Sequence, residues 1–292
     1  YMIRGHLSMA AELDSWVRAD DRFDLVAPTT MNLVTVALVD VIGRWGIPAD
    51  GMGALGLALG IGLLPFVVLG PARVRATAAL VGREPRAFGW LLATSAALGS
   101  LAYVAFILRG GPRIVDATTY FFQARSFAQG SFWADAGFPS ASTRGRFLLY
   151  DAEQNRIAGL FPPGYPALLA VAVRLGAPLA LGPVLAALLA LATVRLVRLV
   201  ADDAGLEGAH AELVARAAGL LSVACAVLRY HTSDTMSHGV CALYVTVGLG
   251  SAIRARKDPT RLDALVVGLC LGGLAATRPV SALPFAATVA SL

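Results

Sequence analysis

The chain of 292 residues is 57% hydrophobic and 15% charged, whereas a soluble domain carries about 25% charged residues. This composition excludes an ordinary soluble domain, and several runs approach the ~20 apolar residues that cross a bilayer. The net charge of +5 fits basic cytoplasmic loops and does not indicate a nucleic-acid partner. The three cysteines lie in apolar runs without metal-site or disulfide spacing. The sequence therefore predicts a multi-pass protein of the cell membrane with no metal site.

Apolar runs predict the membrane-spanning helices. The clear candidates are residues 52–70, 88–108, 178–200, 212–229, 238–254, 263–277 and 280–292. A further run at 26–46 contains Asp40 and Arg44, which can pair at i,i+4 on one helix face, so its assignment as a span stays open. Residues 1–87 are accordingly expected to form an N-terminal extension with one or two spans.

Basic residues in short loops predict the orientation of these spans. Arginine and lysine cluster in two loops, at 71–87 and at 254–261. Because such loops stay on the cytoplasmic side, we expect both clusters to be cytoplasmic. Alternate threading then places residues 109–177, the loop 230–237 and Arg278 on the outer face.

The long outer loop is predicted to carry its own short elements. Residues 116–129 are expected to form an interfacial helix, with Asp116 as a candidate N-cap. Residues 146–161 are typical of two short strands around a polar turn. The apolar part of 161–176 is too short for a span and predicts a helix at the outer interface. The predicted fold class is an all-α, polytopic transmembrane helix bundle with interfacial helices in its first external loop.

Residues 263–292 contain an arginine near their middle. A buried arginine in one long span would cost ~2.5–3.5 kcal/mol. A break at 277–279 avoids this cost, because Pro279 suits the first turn of a new helix and Arg278 then lies at the outer surface. Arg278 is either a snorkelling interfacial anchor or a ligand contact.

The order of these features resembles the C-type membrane glycosyltransferases. An acid-led helix follows a span, and then come FPPGYPALLA (161–170), HTSDTMSHGVCALYVTVGLG (231–250) and GLAATRPVSAL (273–283). Within that family the chain is similar to the branch of protein O-mannosyltransferases and of the bacterial transferases that attach aminoarabinose to lipid A. The resemblance covers about residues 88–292, which would form the N-terminal part of a catalytic domain, truncated at its C-terminus; residues 1–87 lie outside it.

The resemblance implies sugar transfer on the non-cytoplasmic face, in the bacterial inner membrane. The donor would be a sugar on a polyprenyl phosphate, the acceptor a lipid, glycan or protein, and no cofactor would be needed. The family's acidic catalytic motif matches Asp116, but Ala117 stands where a second acid is often found, which weakens the case for a metal in this loop. One carboxylate can take the acceptor proton, because a lipid phosphate leaves without general acid help.

The predicted substrate-binding residues lie in the outer loop or at the outer ends of spans: Arg278, His231, His238, Asp234, Tyr120 and Tyr165. Arg278 would face the departing phosphate, where negative charge develops, and the two histidines would assist it. Asp234 is either a second acid or a cap of the following helix. Tyr165 either stacks on a sugar or anchors the loop at the interface.

Two other classes remain open. A transporter or lipid flippase would show inverted repeats and helices broken near the midplane, and the sequence shows no repeat. A non-catalytic membrane scaffold would use Asp116 only as a helix cap.

Overall fold

The computed structural model describes residues 84–108, 110–136, 147–206 and 208–292, and these residues are mostly helical. The helices are α1 (Pro85–Ala102), α2 (Val115–Ala128), α3 (Gly164–Arg174), α4 (Leu181–Asp203), α5 (Gly208–Ala224), α6 (Ala226–Ser233), α7 (His238–Lys257), α8 (Arg261–Thr277) and α9 (Pro279–Ser291). A π-helical turn, Tyr103–Ile107, extends α1, and a 3-10 turn, Pro178–Ala180, precedes α4. The predicted all-α class is confirmed for this part of the chain, apart from one small sheet.

The sheet lies between α2 and α3. Its antiparallel strands are β1 (Ala134–Asp135), β2 (Leu148–Asp151) and β3 (Arg156–Gly159), in the order β1-β3-β2. The prediction of two strands around a polar turn in 146–161 is confirmed, whereas β1 was not predicted. Asp151 closes the turn, because its carboxylate accepts from the amide of Glu153 at 3.1 Å and from Arg156 at 3.0 Å.

Two helical segments among the described residues, Pro85–Ile107 and Pro178–Asp203, are long and apolar enough to cross a membrane. They match the predicted spans 88–108 and 178–200. Helices α7, α8 and α9 also lie where spans were predicted, but they do not meet the same requirement of length and hydropathy. α8 and α9 have only 17 and 13 residues. The runs 26–46 and 52–70 lie outside the described residues.

The span predicted at 212–229 is bent in the structure. The chain breaks at Cys225, and α5 and α6 meet at 61°, so that they form a third span only if the bent pair is taken together. Arg229 of α6 is buried and donates to the carbonyl oxygen of Ala96 in α1 at 3.0 Å and to that of Ser222 in α5 at 3.3 Å. The Ser222 carbonyl is among the last four of α5, which a helix leaves without internal donors.

The largest core cluster joins the outer-loop helices α2 and α3 to α4, α7, α8 and α9. Leu169 of α3 and Leu274 of α8 are fully buried in it. A Cβ atom on Gly164 would lie 2.5 Å from the hydroxyl of Thr277, so only glycine lets the start of α3 approach the end of α8 this closely. The close approach positions the predicted outer loop beside the α8–α9 junction.

Candidate functional site

The start of α2 packs against the turn between α6 and α7. The hydroxyl of Thr235 donates to the carbonyl oxygen of Ala117 at 2.8 Å, and the hydroxyl of Tyr120 donates to that of Ser237 at 3.1 Å. Arg278 lies within electrostatic range of Tyr120 and of His238. All seven predicted site residues therefore lie together, and we call them the polar cluster: Asp116, Tyr120, Tyr165, His231, Asp234, His238 and Arg278.

Asp116 lies in the first turn of α2. The prediction that it caps the helix is wrong, because Ile114 occupies the N-cap position in an extended conformation and α2 begins at Val115. An acid in the first turn is still favoured by the helix dipole. The Asp116 carboxylate is half-buried and makes no hydrogen bond or ion pair with the described residues. Asp116 therefore belongs to the polar cluster and remains accessible to a ligand.

Asp234 brings a second carboxylate to the cluster. It is only 2% exposed, and one of its oxygens accepts from the amide of Thr235 at 2.8 Å. Its other oxygen is buried without a partner among the described residues. Burial raises the pKa of Asp234 to about 6, the Thr235 amide and Arg113 oppose that rise, and Asp116 adds to it.

Asp234 was predicted as a second acid or as a cap of the following helix. The cap interpretation is wrong, because Ser237 stands at the N-cap position of α7. Asp234 therefore places a second carboxylate within electrostatic range of Asp116, although the two residues are far apart in the sequence.

The two histidines form a stacked pair. Residues 230–237 were predicted as a loop, but α6 continues to Ser233 and only 234–237 form the turn. This turn brings His231 of α6 against His238 of α7, with ring centroids 4.5 Å apart and an interplanar angle of 28°. The Nδ1 atoms of both rings are buried and have no partner in the described part of the chain. They are therefore available to donate to, or accept from, a bound group.

Arg278 occupies the junction between α8 and α9. The predicted break at 277–279 is confirmed, with Pro279 as the first residue of α9. The Arg278 side chain is exposed, and no described residue offers it a hydrogen bond or a carboxylate. α9 begins directly after Arg278, and the start of α3 lies against Thr277. Arg278 is also within electrostatic range of the first residue of α7 and of the first half of α2. Since helix starts carry partial positive charge, the arginine and the helix starts together favour an anion.

The two tyrosines are part of the packed core. Tyr120 and Tyr165 are 5% and 3% exposed. Tyr120 stacks on Phe161 at 4.2 Å between centroids and meets Tyr165 edge to face at 5.3 Å. Because both ring faces are covered, a sugar would reach these residues only through their hydroxyl groups. Tyr165 likewise packs inward from α3, away from the position of an interfacial anchor.

Sequence reasoning missed the contribution of Arg113. Its Nε donates to the carbonyl oxygen of Leu108 at 2.6 Å, and its charge opposes the rise in the pKa of Asp234. A basic residue between a span and an acid-led helix was the available signal. Among the described residues, no group of three or more His, Cys, Asp or Glu side chains is arranged to hold a metal ion.

Comparison with known proteins adds no relative to this description. No family model matches the chain, and neither a curated protein nor a solved structure matches it significantly. The function is therefore argued from the geometry of the polar cluster and from the sequence resemblance.

Proposed function

We propose that this protein is a polytopic membrane glycosyltransferase. It transfers a sugar from a polyprenyl-phosphate donor to an acceptor hydroxyl or amine on the non-cytoplasmic face of the bacterial inner membrane. The two apolar segments at α1 and α4 support membrane insertion, and α5 to α9 would complete a multi-pass bundle around them. The acceptor is a lipid, a glycan or a protein.

One observation carries the proposal. Residues chosen from three separate parts of the sequence, for one reaction, lie together in the fold. Asp116 comes from α2, Asp234 and His238 from the α6–α7 region, and Arg278 from the α8–α9 junction. A scaffold would need no such convergence of buried, unpartnered polar atoms, which are costly to keep in a protein interior.

The acceptor is activated at Asp116. The acceptor oxygen or nitrogen attacks the anomeric carbon of the donor sugar, and its proton passes to the Asp116 carboxylate. Asp116 is half-buried whereas Asp234 is 2% exposed, so an acceptor arriving from solvent meets Asp116 first. Asp234 lies behind it and helps to hold the proton in the site.

The donor phosphate is bound at Arg278. As the bond between the anomeric carbon and the phosphate oxygen breaks, that oxygen keeps the electron pair and negative charge develops on the leaving group. The exposed guanidinium can offer two parallel N–H donors to phosphate oxygens, and the neighbouring helix starts stabilise the same charge. His238, which stacks on His231, lies within electrostatic range of Arg278.

A lipid transporter is the second candidate. The 61° break between α5 and α6, next to the polar cluster, is the kind of feature that transporters place at their binding sites. The two candidates differ in the fate of the donor. A transporter moves the lipid-linked sugar intact, whereas a transferase releases polyprenyl phosphate.

The test uses the full-length protein in proteoliposomes with a radiolabelled polyprenyl-phosphate sugar and a mixture of candidate acceptors. Transfer predicts label on an acceptor and an equal amount of free polyprenyl phosphate. Glu153→Gln, at the exposed tip of the β2–β3 turn, should leave the yield unchanged. Intact donor that crosses the bilayer without release of polyprenyl phosphate would establish the transporter instead.

A further inference from the structure

A small groove lies far from the polar cluster, between α4 and α7. These helices run parallel, and their carboxyl-terminal ends are joined by ion pairs from Asp203 to Arg256 at 3.3 Å and to Lys257 at 3.4 Å. The groove has a volume of about 200 Å³ and seven lining residues: Leu191, Ala192, Arg195, Leu196, Thr246, Val247 and Gly250. Its wall is apolar except for a guanidinium and one threonine hydroxyl.

Arg195 supplies the guanidinium in the wall of the groove. No described residue gives it a hydrogen bond or a carboxylate. Two acids at this end are already engaged, since Glu212 pairs with Arg198 at 2.6 Å and Asp203 pairs with the basic end of α7. Arg195 is therefore a cation beside the groove that can bind an anion.

Arg195 also lies inside a membrane-length segment. It precedes the end of α4 by eight residues, or about 12 Å along the helix axis, in the segment Pro178–Asp203. That segment is long enough to cover a hydrocarbon layer of about 30 Å. An arginine at this depth is costly unless it reaches the headgroup layer or an anion.

The size of the groove limits its occupant. A volume near 200 Å³ resembles the apolar cavities of about 150 Å³ that hold a small hydrocarbon. It is too narrow for a helix, whose diameter is about 10–12 Å. A hydrocarbon chain attached to an anionic headgroup matches both the apolar wall and the unpaired cation.

We propose that the α4–α7 groove binds one anionic phospholipid, with its phosphate on Arg195 and part of an acyl chain against Leu191, Val247 and Gly250. The proposal is independent of sugar transfer and requires only that α4 crosses the bilayer. It assigns a lipid site to the leaflet at the carboxyl-terminal end of α4, away from the polar cluster.

The test is native mass spectrometry of the full-length protein titrated with dioleoylphosphatidylglycerol or dioleoylphosphatidylcholine. We expect one tight phosphatidylglycerol, and Arg195→Gln should weaken it about tenfold, as for loss of a charge-assisted hydrogen bond. Arg198→Gln is the matched control. It removes the same charge three residues further along the helix, from an arginine that already pairs with Glu212. Equal phosphatidylglycerol binding by the wild type and Arg195→Gln would overturn the proposal.

A second variant fills the groove. A Cβ atom on Gly250 would meet only the side chains of Leu199 at 3.7 Å and Leu196 at 4.0 Å, so Gly250→Leu can fold while blocking the acyl chain. We expect Gly250→Leu to weaken phosphatidylglycerol binding about tenfold as well. Unchanged lipid binding by this variant would reject the site even if Arg195→Gln failed to fold. Excess inorganic phosphate should not displace the lipid; displacement would show a simple anion site. A change of oligomeric state in Gly250→Leu, with lipid binding unchanged, would assign the groove to a second copy of the chain.

Discussion

The two ends of the helices use their charged side chains differently. Where α4 and α7 end, five ion pairs form between described residues, although Arg195 takes part in none of them: Arg198–Glu212, Arg216–Glu212, Arg254–Asp263, Arg256–Asp203 and Lys257–Asp203. At the polar cluster, the side chains of Asp116 and Arg278 make no hydrogen bond or ion pair with the described residues, and one oxygen of Asp234 is buried without a partner among them. Paired charges tie helices together, whereas unpartnered ones keep their capacity for a ligand. This contrast is the reason that we propose the polar cluster, and not the opposite end, as the site of the reaction.

The prediction with the largest expected effect concerns the face of the membrane on which each end of the helices lies. In a background without native cysteines, Glu153→Cys beside the polar cluster end should be fully labelled by an impermeant maleimide on intact cells. Asp258→Cys, just after α7, should be labelled only after permeabilisation, because basic loops remain cytoplasmic. Both positions are exposed. The reverse labelling pattern would put the polar cluster on the cytoplasmic side and remove the proposed reaction.

The next effect compares one acid from each end. Asp116→Asn keeps the size of the side chain and removes the proposed base, so transfer should fall by roughly 10²–10⁴-fold. Loss of the charge at the start of α2 costs only about 0.3–1 kcal/mol, so the protein should still fold. Asp203→Asn is the control, because exposed ion pairs contribute about 0–1 kcal/mol. The contrast between the ends fails if both variants transfer sugar at the same rate.

The third effect compares arginines. Arg278→Ala should raise the donor concentration needed for half-maximal transfer by about 10–100-fold. This is the effect expected from the loss of a hydrogen bond to a charged group, which contributes about 1.5–3 kcal/mol. Arg278→Lys should recover part of this, because an ammonium cannot copy a bidentate guanidinium. Arg256→Ala at the paired end should leave donor dependence unchanged. If Arg278→Lys and Arg278→Ala each kept the wild-type dependence on donor concentration, Arg278 would be only an interfacial anchor.

The smallest effect is a pH dependence of stability. Burial raises the pKa of Asp234 from 3.8 in the unfolded chain to about 6 in the fold. Between those values the folded protein binds more protons, so the free energy of unfolding should fall as pH rises from about 4 to about 6, by at most about 3 kcal/mol. Asp234→Asn should abolish this slope in denaturation of the detergent-solubilised protein.

A matched variant has the opposite sign. Arg156 and two backbone amides lower the pKa of Asp151. The ionised carboxylate therefore stabilises the folded protein above about pH 4, and this stabilisation is lost as pH falls further. Asp151→Asn should therefore leave the slope between pH 4 and 6 in place. A slope that persists in Asp234→Asn would show that another group produces it.

Local signals predicted some features of this fold well. The break at Arg278–Pro279 was predictable because a charge and a proline act within one turn. The turn at Asp151 was predictable for a similar reason, since a short acid bonds to nearby amides. In both cases the physical cause lies within a few residues of the feature itself.

Other features depend on contacts between distant parts of the chain. Nothing in the run SVACAVL, which has neither glycine nor proline, predicts the break at Cys225. The structure relates it to Arg229, which bonds to Ala96 of another helix. The pairing of His231 with His238 and the partly shared environment of Asp116 and Asp234 also arise only in the folded chain. The types of residue in the site could be predicted, but not their geometry.

The buried guanidinium of Arg229 predicts an order of assembly. Two of its nitrogen atoms are satisfied by carbonyl oxygens, one in α5 and one in α1. The bent α5–α6 pair supplies only the first acceptor, and burying the rest of the cation without the second is unfavourable. We therefore expect α5 and α6 to reach their bent form only once α1 packs against them, so that the earlier helix serves as a template for the later pair.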